Sequence, residues 1–446
     1  MQNSSSQTLI VGLGKTGLSC ARYLAAQGES FVVTDSRPQP PGLDELLNEY
    51  PEAPVHVGGF RDDDFSLASR IVLSPGVSLR NQHVAAAVSR GAEVLGDVEL
   101  FARSVTAPVV AITGTNGKST VTTLVAEMAK AAGRQVGAGG NLGMPALELL
   151  DRADTDLYVL ELSSFQLETT QSLDAVAAVV LNITPDHMDR YDNLEHYSKT
   201  KATVYRGTGV MVINSDDVVV NSMADKQRQV IRFSLQQPAE GEFGIMTVAD
   251  KQYLAFGKEQ LLSVDKLKIP GRHNQANALA ALALGQAIGL DMSTMLATLR
   301  DFTGLAHRSE WVAEAKGVRW FNDSKATNVG ATVAALQGMP GPLILIAGGD
   351  GKSADFSKLH DVIEKQARAV ILLGRDADSI EKIINGSVPV HRATDMHDAV
   401  RLARKITKPG DNVLLSPACA SFDMYSNYME RGDDFVQAVR QEVKNG

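Results

Sequence analysis

The sequence is short of cysteine, short of long apolar runs and short of net positive charge. Each shortage removes a class of function. Only Cys20 and Cys419 occur in 446 residues. One disulfide is the most they could form, and so large a chain with so few thiols reads as a reduced, cytoplasmic protein. No apolar stretch approaches the roughly 20 residues needed to cross a bilayer, so no membrane insertion is expected. The segment Met1–Gln7 is polar and lacks the basic and apolar regions of a secretory signal. The net charge of -9, with a pI near 5.5, gives no general attraction to nucleic acid or anionic membrane. No nucleic-acid partner is expected, although a local loop can still hold a small anion. Low-complexity tracts and short repeats are also absent.

What is present is an ordinary globular balance, 44% hydrophobic and 21% charged, in a chain long enough for two to four domains. Short apolar runs alternate with helical patterns throughout. That alternation predicts an α/β protein with mostly parallel sheets. Three blocks are expected: 1–98, 99–304 and 305–446. The first opens with a strand at Thr8–Gly12, a helix at Lys15–Gln27 and a strand at Phe31–Thr34. Further strands are predicted at Val55–Val57 and Arg70–Leu73. The second opens with Val109–Thr113 and a helix at Ser119–Ala132. It continues with strands at Tyr158–Leu162 and Ala177–Ile183, polar–apolar alternation over Arg228–Lys268, and a helix at Gln275–Leu290. The third has strands at Val318–Asn322, Leu343–Ala347, Ala369–Leu373 and Asn412–Ser416. Asp97–Ala107 and Thr303–His307 read as linkers and candidate hinges.

The strongest local signal is Gly114-Thr115-Asn116-Gly117-Lys118-Ser119-Thr120, set between a strand and a helix. Glycines let successive backbone N–H groups point at phosphate oxygens, and the helix N-terminus adds partial positive charge. Lys118 can reach the terminal phosphates, and a hydroxyl of Ser119 or Thr120 can ligate Mg²⁺. The strict pattern wants a glycine where Ile112 stands, so this is a shortened phosphate loop. A plain strand-to-helix turn has no need of Lys-Ser-Thr there. A second glycine motif, Gly12-Leu13-Gly14-Lys15-Thr16-Gly17, follows the first strand, and Asp35 ends the next one. This fits a dinucleotide fingerprint with Asp35 on a ribose hydroxyl, but it suits a nucleotide-sugar diphosphate equally well. Tight strand–helix packing alone would also use these glycines. Glu161 ends one predicted strand and His187 follows another. Both, with Ser119, are candidate Mg²⁺ ligands, because sites in open α/β sheets gather at strand carboxyl ends. A polar loop around Asp186-His187 is the plainer alternative.

Together, the phosphate loop, Glu161-Leu-Ser163-Ser-Phe-Gln-Leu, Asn182-Ile-Thr-Pro-Asp-His187-Met-Asp-Arg190, His273-Asn274-Gln-Ala-Asn277 and Asn322-Asp323-Ser-Lys325-Ala-Thr327-Asn328 resemble the Mur ligases. These are ATP-dependent amide ligases of peptidoglycan precursor synthesis. The resemblance runs over nearly the whole chain, with the motifs in the family's order. Gly12–Gly17 with Thr34-Asp35-Ser36-Arg37, Gly348–Phe356 and Leu415–Asp423 are most similar to members that add D-glutamate to UDP-N-acetylmuramoyl-L-alanine. The resemblance implies a Rossmann-like N-terminal domain for the UDP-linked substrate. It implies a P-loop central domain for ATP and a Rossmann-like C-terminal domain for the amino acid. It also implies a reaction through an acyl phosphate, with ATP and two Mg²⁺, in a monomer.

Carried over by position, the resemblance makes Lys118 the phosphate lysine and Ser119 and Glu161 ligands of one Mg²⁺. His187 becomes a ligand of the second, with Lys201 as a carbamylated lysine in Tyr197-Ser-Lys-Thr-Lys201. A solvated helix charge is the plainer reading of Lys201 or Lys199. Asn274 and Asn277 resemble adenine contacts, or else helix caps, and Arg308 and Asp323 resemble residues that close on ATP. Lys325, Thr327, Lys352, Ser421 and Phe422 resemble the D-glutamate pocket. Gly14, Thr16, Asp35, Ser36, Arg37, Ser74, Gly76, Asn141 and Ser163 resemble the path of the UDP-linked substrate. The third domain is expected to swing in so that water is kept from the acyl phosphate. The alternatives are another ligase of this superfamily (a sister Mur ligase or folylpolyglutamate synthetase), an NAD-linked oxidoreductase built on Gly12–Gly17, and a nucleotide-binding regulator without catalysis.

Overall fold

Strands form where short apolar and β-branched runs are walled in by glycine or polar turns, and the central parallel strands are buried along their length. The computed structural model describes residues 7–184, 186–187, 190–339, 341–351 and 354–444. Three sheets result. The first is parallel, in the order Val55–Val57, Phe31–Asp35, Gln7–Val11, Ala68–Leu73, Glu93–Leu95. The chain leaves its central strand for one side and returns to the other. That creates a switch-point crevice between the turns after Val11 and Leu73, where α/β proteins bind ligands.

The second sheet has nine strands. Val109–Thr113 lies between Leu157–Glu161 and Ala177–Val180, both parallel to it, so it too ends at a switch point. Val136–Gly140 forms one edge. Val210–Asn214 and Val230–Phe233 continue the parallel part. The alternating segment supplies Phe243–Val248, Lys251–Phe256 and Glu259–Ser263, with the first two antiparallel. The third sheet is parallel apart from the hairpin Glu310–Ala315/Val318–Asn322. Its order runs from that hairpin through Asn412–Leu415, Leu343–Ala347 and Ala367–Leu372 to Val390–Arg392.

The chain forms two compact units: residues 1–261 with 277–298, and residues 262–276 with 299–446. In the first, one continuous core joins the N-terminal and central sheets, including Ile10, Leu24, Phe101, Leu160 and Ile213. The ring of Phe101 packs edge-on against Tyr158, with centroids 5.1 Å apart. This corrects the linker expected at Asp97–Ala107. Asp97–Ser104 is a helix with Val98, Leu100 and Phe101 buried, and its apolar spacing seals the join between the sheets. In the second unit, separate clusters cover the two faces of the third sheet. Cys20 and Cys419 are both free and buried. Among the described residues, no helix is long and apolar enough to cross a membrane.

Candidate active site

The phosphate loop joins Val109–Thr113 to the helix Lys118–Ala131. Gly117 begins that helix at φ +85°, and a Cβ there would lie 2.4 Å from Asn277 Oδ1. Only glycine lets Asn277, on the helix Arg272–Ala287, press against the loop. The loop is braced from the turn after Ala177–Val180. Asn116 N–H donates to Asn182 Oδ1 at 2.8 Å, and Asn182 Nδ2 donates back to the Asn116 carbonyl at 3.0 Å. Thr115 Oγ1 reaches the Thr184 carbonyl at 3.1 Å and Tyr197 Oη at 3.2 Å. Lys118 Nζ arches back to the carbonyls of Gly114 and Thr115 at 3.0 and 2.9 Å. Ser119 is buried in the first turn, while Thr120 is half-buried.

Glu161 ends the neighbouring strand and is buried. Its Oε1 accepts from Asn141 Nδ2 at 2.6 Å, whereas Oε2 is buried and has no hydrogen-bond partner among the described residues. An orphaned carboxylate oxygen is costly unless a cation or donor joins it. The expected metal role therefore fits this donor set. Lys201 is 2% exposed, and its Nζ donates to Thr113 Oγ1 at 3.1 Å. Lys199 projects 73% exposed and pairs with Glu195, so of the two lysines only Lys201 faces the site. Burial first, then the Lys118 charge, bring the Lys201 ammonium down to about 7, against the pull of Asp186 and Glu161. A lysine poised this way presents a neutral amine. His187 adopts φ 55° and sets its ring 4.7 Å from Phe165, with its side chain half-exposed. Among the described residues, no group of three His, Cys, Asp or Glu side chains could hold a metal alone. A cation at Glu161 would rely on the Ser119 hydroxyl and on phosphate oxygens.

The switch point of the first sheet opens into a cavity of about 590 Å³. Gly14, Thr16, Asp35, Ser36, Arg37, Ser74, Gly76 and Asn141 all line it. Ser163 does not. It caps the helix Ser164–Leu167 in a reciprocal box with Gln166, and Gln166 is the one that reaches the cavity. Asp35 is held by its own turn. Its Oδ2 accepts from Leu13 N–H and Arg37 Nη2, both at 2.7 Å, and its Oδ1 from Arg37 N–H and Nε. Burial alone would raise its pKa, but these bonds outweigh that and hold it below the ordinary carboxylate range. With its lone pairs so engaged, Asp35 organises Leu13 and Arg37 at the cavity wall. Gly17 is required here because a Cβ would fall 2.0 Å from the Gly12 carbonyl oxygen.

The second unit holds the other expected residues. Asp323 is buried, accepting from Ser309 N–H at 3.0 Å and Ser416 Oγ at 2.9 Å, and burial pushes it up to about 7. Arg308 is exposed beside it. Asn274 is buried, with Nδ2 on the Pro270 carbonyl at 2.8 Å. Lys325 lays its ammonium 5.2 Å from the centroid of the Tyr428 ring, and Thr327 follows in the same turn. Ser421 is buried and Phe422 is 64% exposed. Arg431, buried and unremarked in the sequence, donates to Ser324 and to the carbonyls of Cys419 and Ala420, tying these two turns together. Lys352 lies outside the described residues. The braces Asn182, Thr113, Gln166 and Arg431 escaped the sequence reading because they serve neighbours distant in the chain.

Comparisons with known proteins agree with this geometry. Residues 6–96 match the model described as Mur ligase MurD-like, N-terminal domain, residues 112–285 the Mur ligase middle domain, and residues 307–419 the Mur ligase, glutamate ligase domain. The UDP-N-acetylmuramoylalanine–D-glutamate ligase of Nitrosococcus oceani is 56% identical over 98% of this chain and 97% of its own. The enzyme of that name from Marinobacter nauticus is 51% identical over 98% of each. Among solved structures, a UDP-N-acetylmuramoyl-L-alanyl-D-glutamate–2,6-diaminopimelate ligase covers 84% of this chain and 92% of its own, at 20% identity and TM-score 0.62. The UDP-N-acetylmuramate–alanine ligase of Thermotoga maritima covers 98% and 99%, at 18% identity and TM-score 0.56. Those two likenesses concern the fold. A parallel three-sheet architecture, a braced phosphate loop beside an orphaned carboxylate, and full-length identity above one half lead to one statement: the chain belongs to the Mur ligase family.

Proposed function

We infer that the chain joins D-glutamate to UDP-N-acetylmuramoyl-L-alanine at the expense of ATP, supplying peptidoglycan precursor. One observation carries the chemistry. Asn141 lines the switch-point cavity and bonds Glu161, which ends the strand beside the phosphate loop. A substrate stretched along the cavity therefore brings its carboxyl end to the γ-phosphate. The relatives' names support the choice of amino acid.

In this reading, an oxygen of the alanine carboxylate attacks the γ-phosphorus, and the bond to the β-phosphate oxygen breaks, releasing ADP. The deprotonated amine of D-glutamate then attacks the acyl carbon of the acyl phosphate. The resulting tetrahedral species expels phosphate, and the nitrogen gives up a proton to leave an amide. Two anions meet in the first step, so cationic groups must be fixed before reaction. Lys118 supplies one, with Gly114–Thr120 donating N–H groups to the phosphates. Asn274 and Asn277 hold the adenine, and Arg308 and Asp323 serve the nucleotide from the second unit. Ser119 and Glu161 would hold one Mg²⁺, and His187 with a carbamylated Lys201 a second; bound there, Mg²⁺ would supply charge neutralisation. The near-neutral amine of Lys201 supports carbamylation, since only a free amine adds to CO₂. Gly14, Thr16, Ser36, Arg37, Ser74, Gly76 and Asn141 receive the UDP-linked substrate, with Asp35 and Ser163 acting through their neighbours. Lys325, Thr327, Lys352, Ser421 and Phe422 receive D-glutamate.

The domain boundaries are placed at 98/99 and 304/305, with the family matches at 6–96, 112–285 and 307–419 in support. One chain carries every group invoked, so a monomer in the cytoplasm suffices. Light scattering that gave a larger mass would revise that point. The reaction is tested by phosphate release with UDP-N-acetylmuramoyl-L-alanine, ATP and a panel of amino acids, with Lys118→Ala as control. Release with meso-diaminopimelate or L-lysine, and none with D-glutamate, would overturn the assignment.

A further inference from the structure

The motif that carries His187 ends in Arg190, to which the chemistry above gives no task. Its side chain is 12% exposed, as is that of its partner Glu168. Nη1 donates to the Pro75 carbonyl at 2.8 Å and Nη2 to the Val77 carbonyl at 3.2 Å. Nη2 and Nε also reach the two carboxylate oxygens of Glu168, at 2.6 and 3.2 Å. The guanidinium carbon lies 4.2 Å from the centroid of Phe165, whose ring also packs against His187. Pro75 and Val77 are not arbitrary carbonyls. With Ser74 and Gly76 they form one wall of the switch-point cavity. Phe165 and Glu168 belong to the turn and helix that follow Glu161.

We propose that Arg190 is a positioning residue for the UDP-linked substrate. It fastens the Ser74–Val77 wall of the cavity to the segment that follows Glu161, without touching substrate itself. A turn of four residues has no ladder to fix its carbonyls. A planar guanidinium with five donors can pin two of them and a carboxylate at once, which a lysine cannot. The bonds are charge-assisted and shielded from water, so they are strong. A second pair, Arg80–Asp192, joins residues just beyond Val77 to residues just beyond Arg190, but its side chains are 57% and 60% exposed. Exposed pairs contribute little, so the inference assigns the fastening to Arg190 and not to Arg80.

The inference rests on the proposed reaction, and its test is chosen to separate the two. Phosphate release by the full chain is measured with each substrate varied in turn for wild type, Arg190→Ala, Arg190→Lys, Glu168→Gln and Arg80→Ala. A misplacement near 1 Å costs on the order of 100-fold. Arg190→Ala is therefore expected to raise KM for UDP-N-acetylmuramoyl-L-alanine about 10- to 100-fold. KM for ATP and D-glutamate should stay within about twofold and kcat within about fivefold. Arg190→Lys and Glu168→Gln should fall between, and Arg80→Ala should match wild type. Calorimetric titration with UDP alone should show the same order of affinities. An unchanged KM for the UDP-linked substrate in a folded Arg190→Ala protein would overturn the proposal, as would equal rises for all three substrates. If Arg190→Ala does not fold, Arg190→Lys and Glu168→Gln decide by the same criterion. A wild type inactive with D-glutamate sinks the functional reading instead, and the UDP titration still judges Arg190.

Discussion

Lys201 shows what one residue reveals only when folded. The sequence offered it and Lys199 on a polar helix, with spacing as the sole guide. The structure puts Lys201 in the core and Lys199 in water. The difference is a matter of helix face, set by Tyr197 and Thr200 packing inward with Lys201. If Lys201 is carbamylated as proposed, only its neutral amine adds CO₂, so reactivation after CO₂ stripping, at a fixed concentration of dissolved CO₂, should quicken as pH rises through about 7 and then level. Intact mass and phosphate release follow it together. Lys201→Arg, which stays charged, should lose roughly 100-fold or more in phosphate release. Asp97 makes a second residue-scale case. It is fully buried and accepts from Gln166 Nε2 at 3.1 Å. Burial pushes it from 3.8 to about 6. Below about pH 4 both folded and unfolded states carry the proton. Between about 4 and 6 the folded state keeps it while the unfolded state releases it, so stability falls as pH rises. Above about 6 the penalty is constant, on the order of 3 kcal/mol. Asp97→Asn cannot ionise. Urea denaturation should show its advantage over wild type opening across that window and holding at neutral pH. An advantage already present at pH 3 would contradict this account.

At the scale of elements, the buried parallel strands were legible because each is a continuous apolar run. Val109–Thr113 and Leu343–Ala347 stand where the pattern put them. Val136–Gly140 was not legible: its sequence VGAGG has almost no apolar side chains, and only its position beside Leu157–Glu161 makes it a strand. The helix Asp97–Ser104 was hidden for a different reason. It was read as a linker, and its burial follows from a core shared by two sheets. The phosphate loop was legible in full, yet its braces were not, since Asn182 and Tyr197 lie 66 and 82 residues from the groups they hold. The glycines of the two loops make the sharpest element-scale test. Gly117→Ala must adopt a left-handed conformation, costing about 1–2 kcal/mol. It must also displace Asn277. KM for ATP should rise while UDP affinity is unchanged. Gly17→Ala meets a carbonyl of its own turn, which cannot yield as a side chain would. It should weaken UDP binding and spare ATP binding, the reverse pattern, measured by titration with each nucleotide.

For the whole molecule, the division into two compact units has a thermodynamic consequence. The switch-point cavity and the phosphate loop share one continuous core, whereas Lys325, Thr327 and Ser421 belong to a unit with cores of its own. A ligand stabilises the cooperative unit that binds it, by about 3 kcal/mol at one hundred times its Kd. Calorimetry of the full chain should therefore resolve two transitions, since units with separate cores unfold separately. UDP-N-acetylmuramoyl-L-alanine alone should move the transition of the first unit and leave the other in place. D-glutamate, added alone at high concentration, should move the transition of the second. A non-hydrolysable ATP analogue should likewise move the transition of the unit that carries Lys118 and the phosphate loop. If the UDP-linked substrate moved both transitions equally in the absence of nucleotide, the two units would already unfold as one, and the assignment of separate substrate-binding cores would be wrong.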